Sequence, residues 1–402
     1  MILPQKALDN FHKAAISLKL YSRAELSDEK NRSLIEKLYV DPLPNEQVFK
    51  SLLASNTTFL IGRKGTGKST IFQRVQHEIR KNKSGAISAY MDIRNVYEAS
   101  QVDPSTLEKV EGLSAALSPK EVERLLLLKR FFKSLLTDIR NEMKTQIERS
   151  FLSKLKDNLV GGSAEAFENL DAIIDRLDAP NYEDIAGYIV KQKKTQSANS
   201  VKSAGDVSLS GKASVTNSEV SAEIKNSDEF AESDSEYDEF SQILMRIIRI
   251  PDVIDELRNI LSNINMKNLY IFLDDFSELP SDAMAVVVDS LISPLSRWSD
   301  FIKFKVAAYP GRIYLGSLDK TKIEEVSLDI YDLYGGNGVN QMEEKATDFV
   351  RRLIDKRLSH NNIDQKLSFL NSRTDDLYRT MFFASMANPR ILGHILLYSY
   401  ES

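Results

Sequence analysis

Gly62-Arg63-Lys64-Gly65-Thr66-Gly67-Lys68-Ser69 decides the reading of this chain. It meets the pattern G-x-x-x-x-G-K-[ST] at every fixed position. Thr57-Thr58-Phe59-Leu60-Ile61 before it is β-branched and apolar, as a buried parallel strand requires. Lys68 to Arg80 after it places Ile71, Phe72, Val75 and Ile79 at helical spacing. Glycine lets such a loop turn tightly and bring backbone N–H groups against phosphate oxygens, and a helix start adds its positive dipole end. On this reading the loop from Gly62 through Thr70 binds phosphate. Lys68 reaches the β- and γ-phosphates, and Ser69 offers its hydroxyl to Mg²⁺.

Further along, Asn268-Leu269-Tyr270-Ile271-Phe272-Leu273-Asp274-Asp275-Phe276-Ser277-Glu278 is an apolar run ending in two acids. A buried parallel strand would deliver Asp274 to the loop edge of the sheet, beside Ser69, to hold Mg²⁺ directly or through water. Asp275 would then orient or deprotonate the attacking water, with Glu278 in reserve. Ala86 to Ile93 predicts a second strand with Asp92 near its end, Phe301 to Tyr309 another, and Glu324 to Leu328 the last.

Around this core the chain divides. Residues 1–35 predict an N-terminal helical segment. Leu38 to Pro44, with two prolines, predicts an extended stretch in which Tyr39 or Val40 wraps a base or packs on the core. Residues 36–99 and 241–335 carry the core, with Pro251 interrupting the helical pattern before the acid strand and a helix over 282–298. Residues 100–195 are a helical insertion. Ser118-Pro119-Lys120-Glu121 reads as a helix start there, and Lys129, Arg130, Lys133, Arg140, Lys144 and Arg149 form a basic face suited to nucleic acid, to a partner or simply to water. Residues 196–240 are Ser-rich and then acidic, with seven acids and no base over 228–239. A mobile loop is the simpler reading, an exposed hairpin over 207–224 the alternative. Residues 336–402 predict a C-terminal helical domain broken at Asn388-Pro389-Arg390. The chain stops inside an apolar helix, so a further domain or a partner is expected to cover that end. The fold class expected is α/β: a P-loop parallel sheet flanked by helices, with a helical insertion and a C-terminal helical bundle.

Composition excludes several classes. None of the 402 residues is cysteine, which removes disulfides and thiolate metal sites and suits the cytoplasm. The four histidines are scattered. No run reaches the roughly 20 apolar residues of a membrane span, and the N-terminus lacks a signal peptide's pattern. The formal net charge of −5 gives no global sign of nucleic-acid binding. An Asn-Lys-x-Asp guanine-reading motif, a lid of several arginines and a nuclease or protease constellation are all missing. Leu209-Ser210-Gly211-Lys212 is discounted as a transporter-type ATPase signature, because it lacks a second glycine and lies far upstream of the acids.

The phosphate loop, the double-acid strand, a strand closed by Pro310-Gly311-Arg312 and a helical end carrying Asn388-Pro389-Arg390 resemble AAA+ ATPases. The branch most alike is the origin-recognition-like and STAND branch, including bacterial ATPases of antiviral defence. The resemblance covers about residues 35–95 and 240–400. It implies ATP as ligand, Mg²⁺ as cofactor and slow or partner-stimulated hydrolysis. It also implies Arg312 in the sensor 1 position and Arg390 in the sensor 2 position, facing the γ-phosphate. Guanidinium suits that charge because it is planar, permanently charged and binds two oxygens at once. The chain departs from the family in having Asp-Asp where Asp-Glu is usual, and in offering only Lys320 and Lys322 between Arg312 and Val326, where a neighbour's finger arginine is sought. The function expected is a switch that controls a protein partner or assembly, with homo-oligomers and nucleic acid as further partners. The alternatives are a DNA-binding ATPase that loads or remodels nucleoprotein complexes, and a nucleotide-bound scaffold that never hydrolyses.

Overall fold

A computed structural model describes residues 5–19, 33–81, 85–101, 119–152, 160–178, 249–316, 318–363 and 374–401. The expected hairpin over 207–224, the acidic run at 228–239 and the helix cap at Ser118 lie outside these residues, as does the side chain of Arg149.

Five strands form one sheet: β1 (Thr57–Ile61), β2 (Ala86–Asp92), β3 (Asn268–Asp274), β4 (Ile302–Ala308) and β5 (Ile323–Ser327). Their order across the sheet is β2-β3-β4-β1-β5, and every pairing is parallel. Parallel strands need crossover helices on both faces. That is why β3 reads as a nearly continuous apolar run, and why β3 and β4 are buried along almost their whole length, β4 with Lys303 and Lys305 included. The shared direction brings the C-terminal ends of β1 to β4 to one edge, with Asp92 beside Asp274 in register and Ile61 beside Ala308.

The helices follow from the same burial. The first is α1 (Gln5–Lys19), and α2 (Gln47–Leu53) precedes β1. α3 (Lys68–Lys81) follows the glycine loop, α4 (Ile93–Gln101) follows β2, and α5 (Pro119–Leu152) and α6 (Val160–Asp178) lie in the insertion. α7 (Ile250–Asn263) leads into β3, and α8 (Ser281–Val287) follows it. The C-terminal part is α9 (Val339–His360), α10 (Thr374–Ser385) and α11 (Pro389–Glu401). Phe72 and Val75 of α3, with Phe49 of α2, fill one sheet face against Phe272. Leu128, Phe132 and Leu135 of α5, with Leu257 of α7, fill the other. Asp138 of α5 accepts from Tyr90 N at 2.6 Å. The insertion thereby takes up a backbone donor on edge strand β2 that would otherwise invite a foreign strand.

Three local details refine the sequence expectation. Pro251 sits in the first turn of α7, so a helix begins at the expected break, because a helix start has no use for the N–H that proline lacks. Residues 282–298 do not form one regular helix: a π turn spans Val288–Ile292. Pro294 follows it and cannot donate back into the helical ladder, which forces the register to slip. The buried carboxylate of Asp41 accepts from Tyr39 OH at 2.8 Å and from Leu43, Val48 and Phe49 N–H, so the start of α2 is capped from outside the helix.

The N-terminal segment is part of the C-terminal bundle. Ala14, Ala15 and Leu18 of α1 share one core with Phe349 and Leu353 of α9, Phe382 of α10 and Leu392 and Leu396 of α11. His12 stacks on Tyr400 with ring centroids 4.7 Å apart. Among the described residues no helix is long and apolar enough to cross a membrane.

Candidate functional site

A cleft of about 480 Å³ runs from the C-terminal edge of the sheet to the helical bundle. Its volume falls in the range of small-molecule sites. One end is lined by residues 64–70 of the glycine loop and α3, by Asp274, Asp275 and Glu278, and by Pro389 and Arg390. Gly65 (φ +90°) and Gly67 (φ +93°) adopt backbone that other residues rarely hold. A Cβ on Gly65 would stand 2.6 Å from Asn388 Oδ1 and 3.0 Å from Arg390 Cβ. Only glycine permits the C-terminal helix to come this close to the loop.

Lys68 opens α3 and is buried. Its ammonium donates to Gly62 O (2.6 Å) and Arg63 O (3.1 Å) and sits 4.4 Å from the centroid of the Tyr309 ring. Burial lowers it to about 8, against the upward pull of Asp274 and Asp275.

The acid edge is built by strand β3 and the turn after it. Asp274 is buried, and it accepts from Tyr90 OH and, at 3.0 Å, from Asp275 N. Asp275 holds a left-handed backbone (φ +55°), an uncommon conformation for a residue other than glycine and one that collects at functional sites. Its carboxyl is raised to about 6, first by burial and then by the negative charges of Asp274, Asp92 and Glu278. Glu278 is moved the other way. Tyr309 OH and Lys64 Nζ (3.0 Å) donate to it, which holds its carboxyl below the usual range. Two acids three residues apart therefore differ because one is buried among carboxylates and the other accepts from donors.

Another part of the lining is largely apolar. Leu18 from α1, Tyr39, Val40 and Pro42 from the extended stretch, and Phe349 and Leu353 from α9 form it. Donors on α9 fix that stretch: Arg352 bonds Asp41 O (2.9 Å) and Pro42 O (3.2 Å), Lys356 bonds Tyr39 O (2.7 Å) and Arg357 bonds Leu38 O. Arg357 is buried and lowered to about 10 by that burial.

Lys64, Gly65, Thr66, Gly67, Lys68, Ser69, Thr70, Asp274, Asp275, Glu278 and Arg390 thus share one cleft, although the sequence scatters them over more than three hundred positions. Three expected site residues do not line it. Gly62 contributes its carbonyl to Lys68. Arg63 points toward Asp329 at 3.7 Å and is exposed. Arg312, expected beside Arg390 at the phosphate, is not among the residues that line the cleft. Its Nη2 donates to Leu279 O at 2.9 Å, and its carbonyl accepts from Ser277 Oγ at 2.7 Å, so it pins the turn after β4. Tyr309, three residues earlier, lines the cleft instead. Tyr90, Arg94 and Tyr309 were missed. Tyr309 directly follows β4 on the sheet edge that receives ligands in such folds, a position that could have singled it out.

The donor set suits magnesium. Ser69 offers a hydroxyl and Asp274 a carboxylate, hard oxygen ligands of the kind Mg²⁺ takes alongside phosphates and water. Among the described residues no group of three or more His, Asp or Glu could hold a metal by itself. The basic face of α5 is partly consumed within the fold, since Arg140 grips Asp171 through Nε (2.5 Å) and Nη2 (2.9 Å).

Compared with protein-family models, with curated proteins and with solved structures, the chain gives no match.

Proposed function

We propose that the chain is an ATP-binding and ATP-hydrolysing switch of the AAA+/STAND type, built on a P-loop core, that controls a partner protein or assembly of the kind used in antiviral defence. One observation carries the reading: the glycine loop, the acid pair and Arg390 come from three separated pieces of chain and line a single cleft. The apolar part of the lining suits a nucleobase.

Each residue then has a role. The glycine loop and the start of α3 attract phosphate through backbone N–H groups and the helix dipole. Lys68 exchanges its bonds to the Gly62 and Arg63 carbonyls for phosphate oxygens. Ser69 and Asp274 hold Mg²⁺, which supplies neutralising charge to the phosphates when bound. Tyr90 keeps Asp274 oriented by its hydroxyl. Asp275 orients the attacking water and takes its proton as the water oxygen bonds to the γ-phosphorus and the bond to ADP breaks. Arg390 neutralises charge on the γ-phosphate. Loss of that phosphate removes its counter-charge and loosens the bundle from the sheet edge.

Fluorescent-ATP binding and phosphate release, measured on the wild type, Lys68→Ala and Asp275→Asn, test this. Lys68→Ala should weaken binding about 10- to 100-fold, the worth of a charge-assisted contact. Asp275→Asn should bind normally and lose turnover by about 10²-fold or more. Unchanged turnover in both variants would overturn the reading.

A further inference from the structure

Lys64 is held from two sides. Its carbonyl accepts from Asn388 Nδ2 at 2.9 Å, and its ammonium lies 3.0 Å from Glu278 Oε1. Glu278 is held in turn: Tyr309 OH donates to the same oxygen, and Arg94 Nη1 lies 3.9 Å from the other. The Tyr309 ring also carries the ammonium of Lys68. A carboxylate that accepts from a phenol and an ammonium on one oxygen, with a guanidinium 3.9 Å from the other, is restrained in its rotamer and is a weaker base than a free one.

We infer that Glu278 is a positioning residue and not the proton acceptor: with Tyr309 and Lys64 it forms a catch across the cleft mouth. The catch ties the glycine loop to the acid edge and, through the Lys64 carbonyl, to the start of α11. This rests on the ATP site proposed above and adds a residue set that governs how firmly the loop stays closed on the nucleotide. Nucleotide release needs the loop to part from its surroundings, so the catch slows release. Lys64 is 69% exposed and Glu278 22%, so solvent screens the pair and the effect is modest.

The test uses the full chain, a fluorescent ATP analogue and rapid mixing. Lys64→Met and Tyr309→Phe should each raise the nucleotide dissociation rate about two- to fivefold. The double variant should release no faster than the quicker single one, because both act through one carboxylate. Glu278→Gln should lower turnover only about two- to fivefold, since an amide oxygen can still accept from Tyr309 and Lys64. Multiplying effects in the double variant, or a hundredfold loss of turnover in Glu278→Gln with release unchanged, would overturn the catch. Tyr309→Phe keeps the ring beneath Lys68, so a fold defect in Lys64→Met does not remove the test. A wild type that fails to bind the analogue defeats the ATP reading itself. A wild type that binds it, with release unchanged in both single variants, defeats the catch alone.

Discussion

Asn388 donates from Nδ2 to the carbonyl of Lys64 at 2.9 Å, while its Oδ1 accepts from the backbone of Arg390 (3.1 Å) and Ile391 (3.3 Å). One amide therefore caps α11 and fastens that helix to the glycine loop. Lost caps cost about 1 kcal/mol and lost hydrogen bonds a similar amount. Asn388→Ala should lower unfolding stability by about 1–2 kcal/mol in a denaturant titration. It should also weaken nucleotide binding, which Asn388→Asp should restore only in part, since a carboxylate caps the helix but cannot donate to Lys64.

Arg390 and Arg312 should separate cleanly. Arg390 lines the cleft; Arg312 is bonded to the Leu279 carbonyl. Arg390→Ala should reduce phosphate release by about tenfold or more, the worth of a charge-assisted contact. Arg312→Ala should change it less than about threefold and mainly lower the melting temperature. Equal losses in the two variants would show that the turn after β4 reaches the reacting phosphate.

Lys305 is wholly buried in the middle of β4, and its ammonium donates to Ala54 O, Asn56 O and Thr58 Oγ1. Burial lowers it from 10.5 to about 7. Above pH 7 the folded chain holds it neutral, whereas the unfolded chain keeps it charged up to about 10.5. Unfolding then takes up a proton, so stability rises with pH across that window, by at most about 1.4 kcal/mol per unit. Urea titrations at pH 7 and pH 9 should show the rise in the wild type and a smaller one in Lys305→Met.

Leu18 joins the bundle core and also lines the cleft. Leu18→Ala should cost about 2–4 kcal/mol of stability and weaken nucleotide binding. Near-native stability with unaltered binding would separate α1 from the site.

The glycine loop, the acid strand and their flanking elements were legible in the sequence because each is a local pattern. A β-branched run, a G-x-x-x-x-G-K-S spacing and an apolar run ending in acids depend only on neighbours along the chain. All five strands were found for that reason, to within two residues at their ends. Arg390 and Arg312 could be named only through resemblance to known motifs, and of the two only Arg390 lines the cleft. Which of two arginines reaches a cleft is set by how the turn after β4 folds back on Leu279, a contact across 33 residues.

The sequence alone determined where the strands lie, that they pair in a buried sheet, and which residues the proposed phosphate site draws on. Only the tertiary structure decided that α1 completes the C-terminal bundle, that Tyr90 and Tyr309 hold the acids, and that Asp275 and Glu278 sit in opposite fields. The reason is range. Strand and loop signals are written into consecutive residues, whereas the charge around a carboxylate is summed over side chains that meet only when the sheet edge and the bundle close on each other.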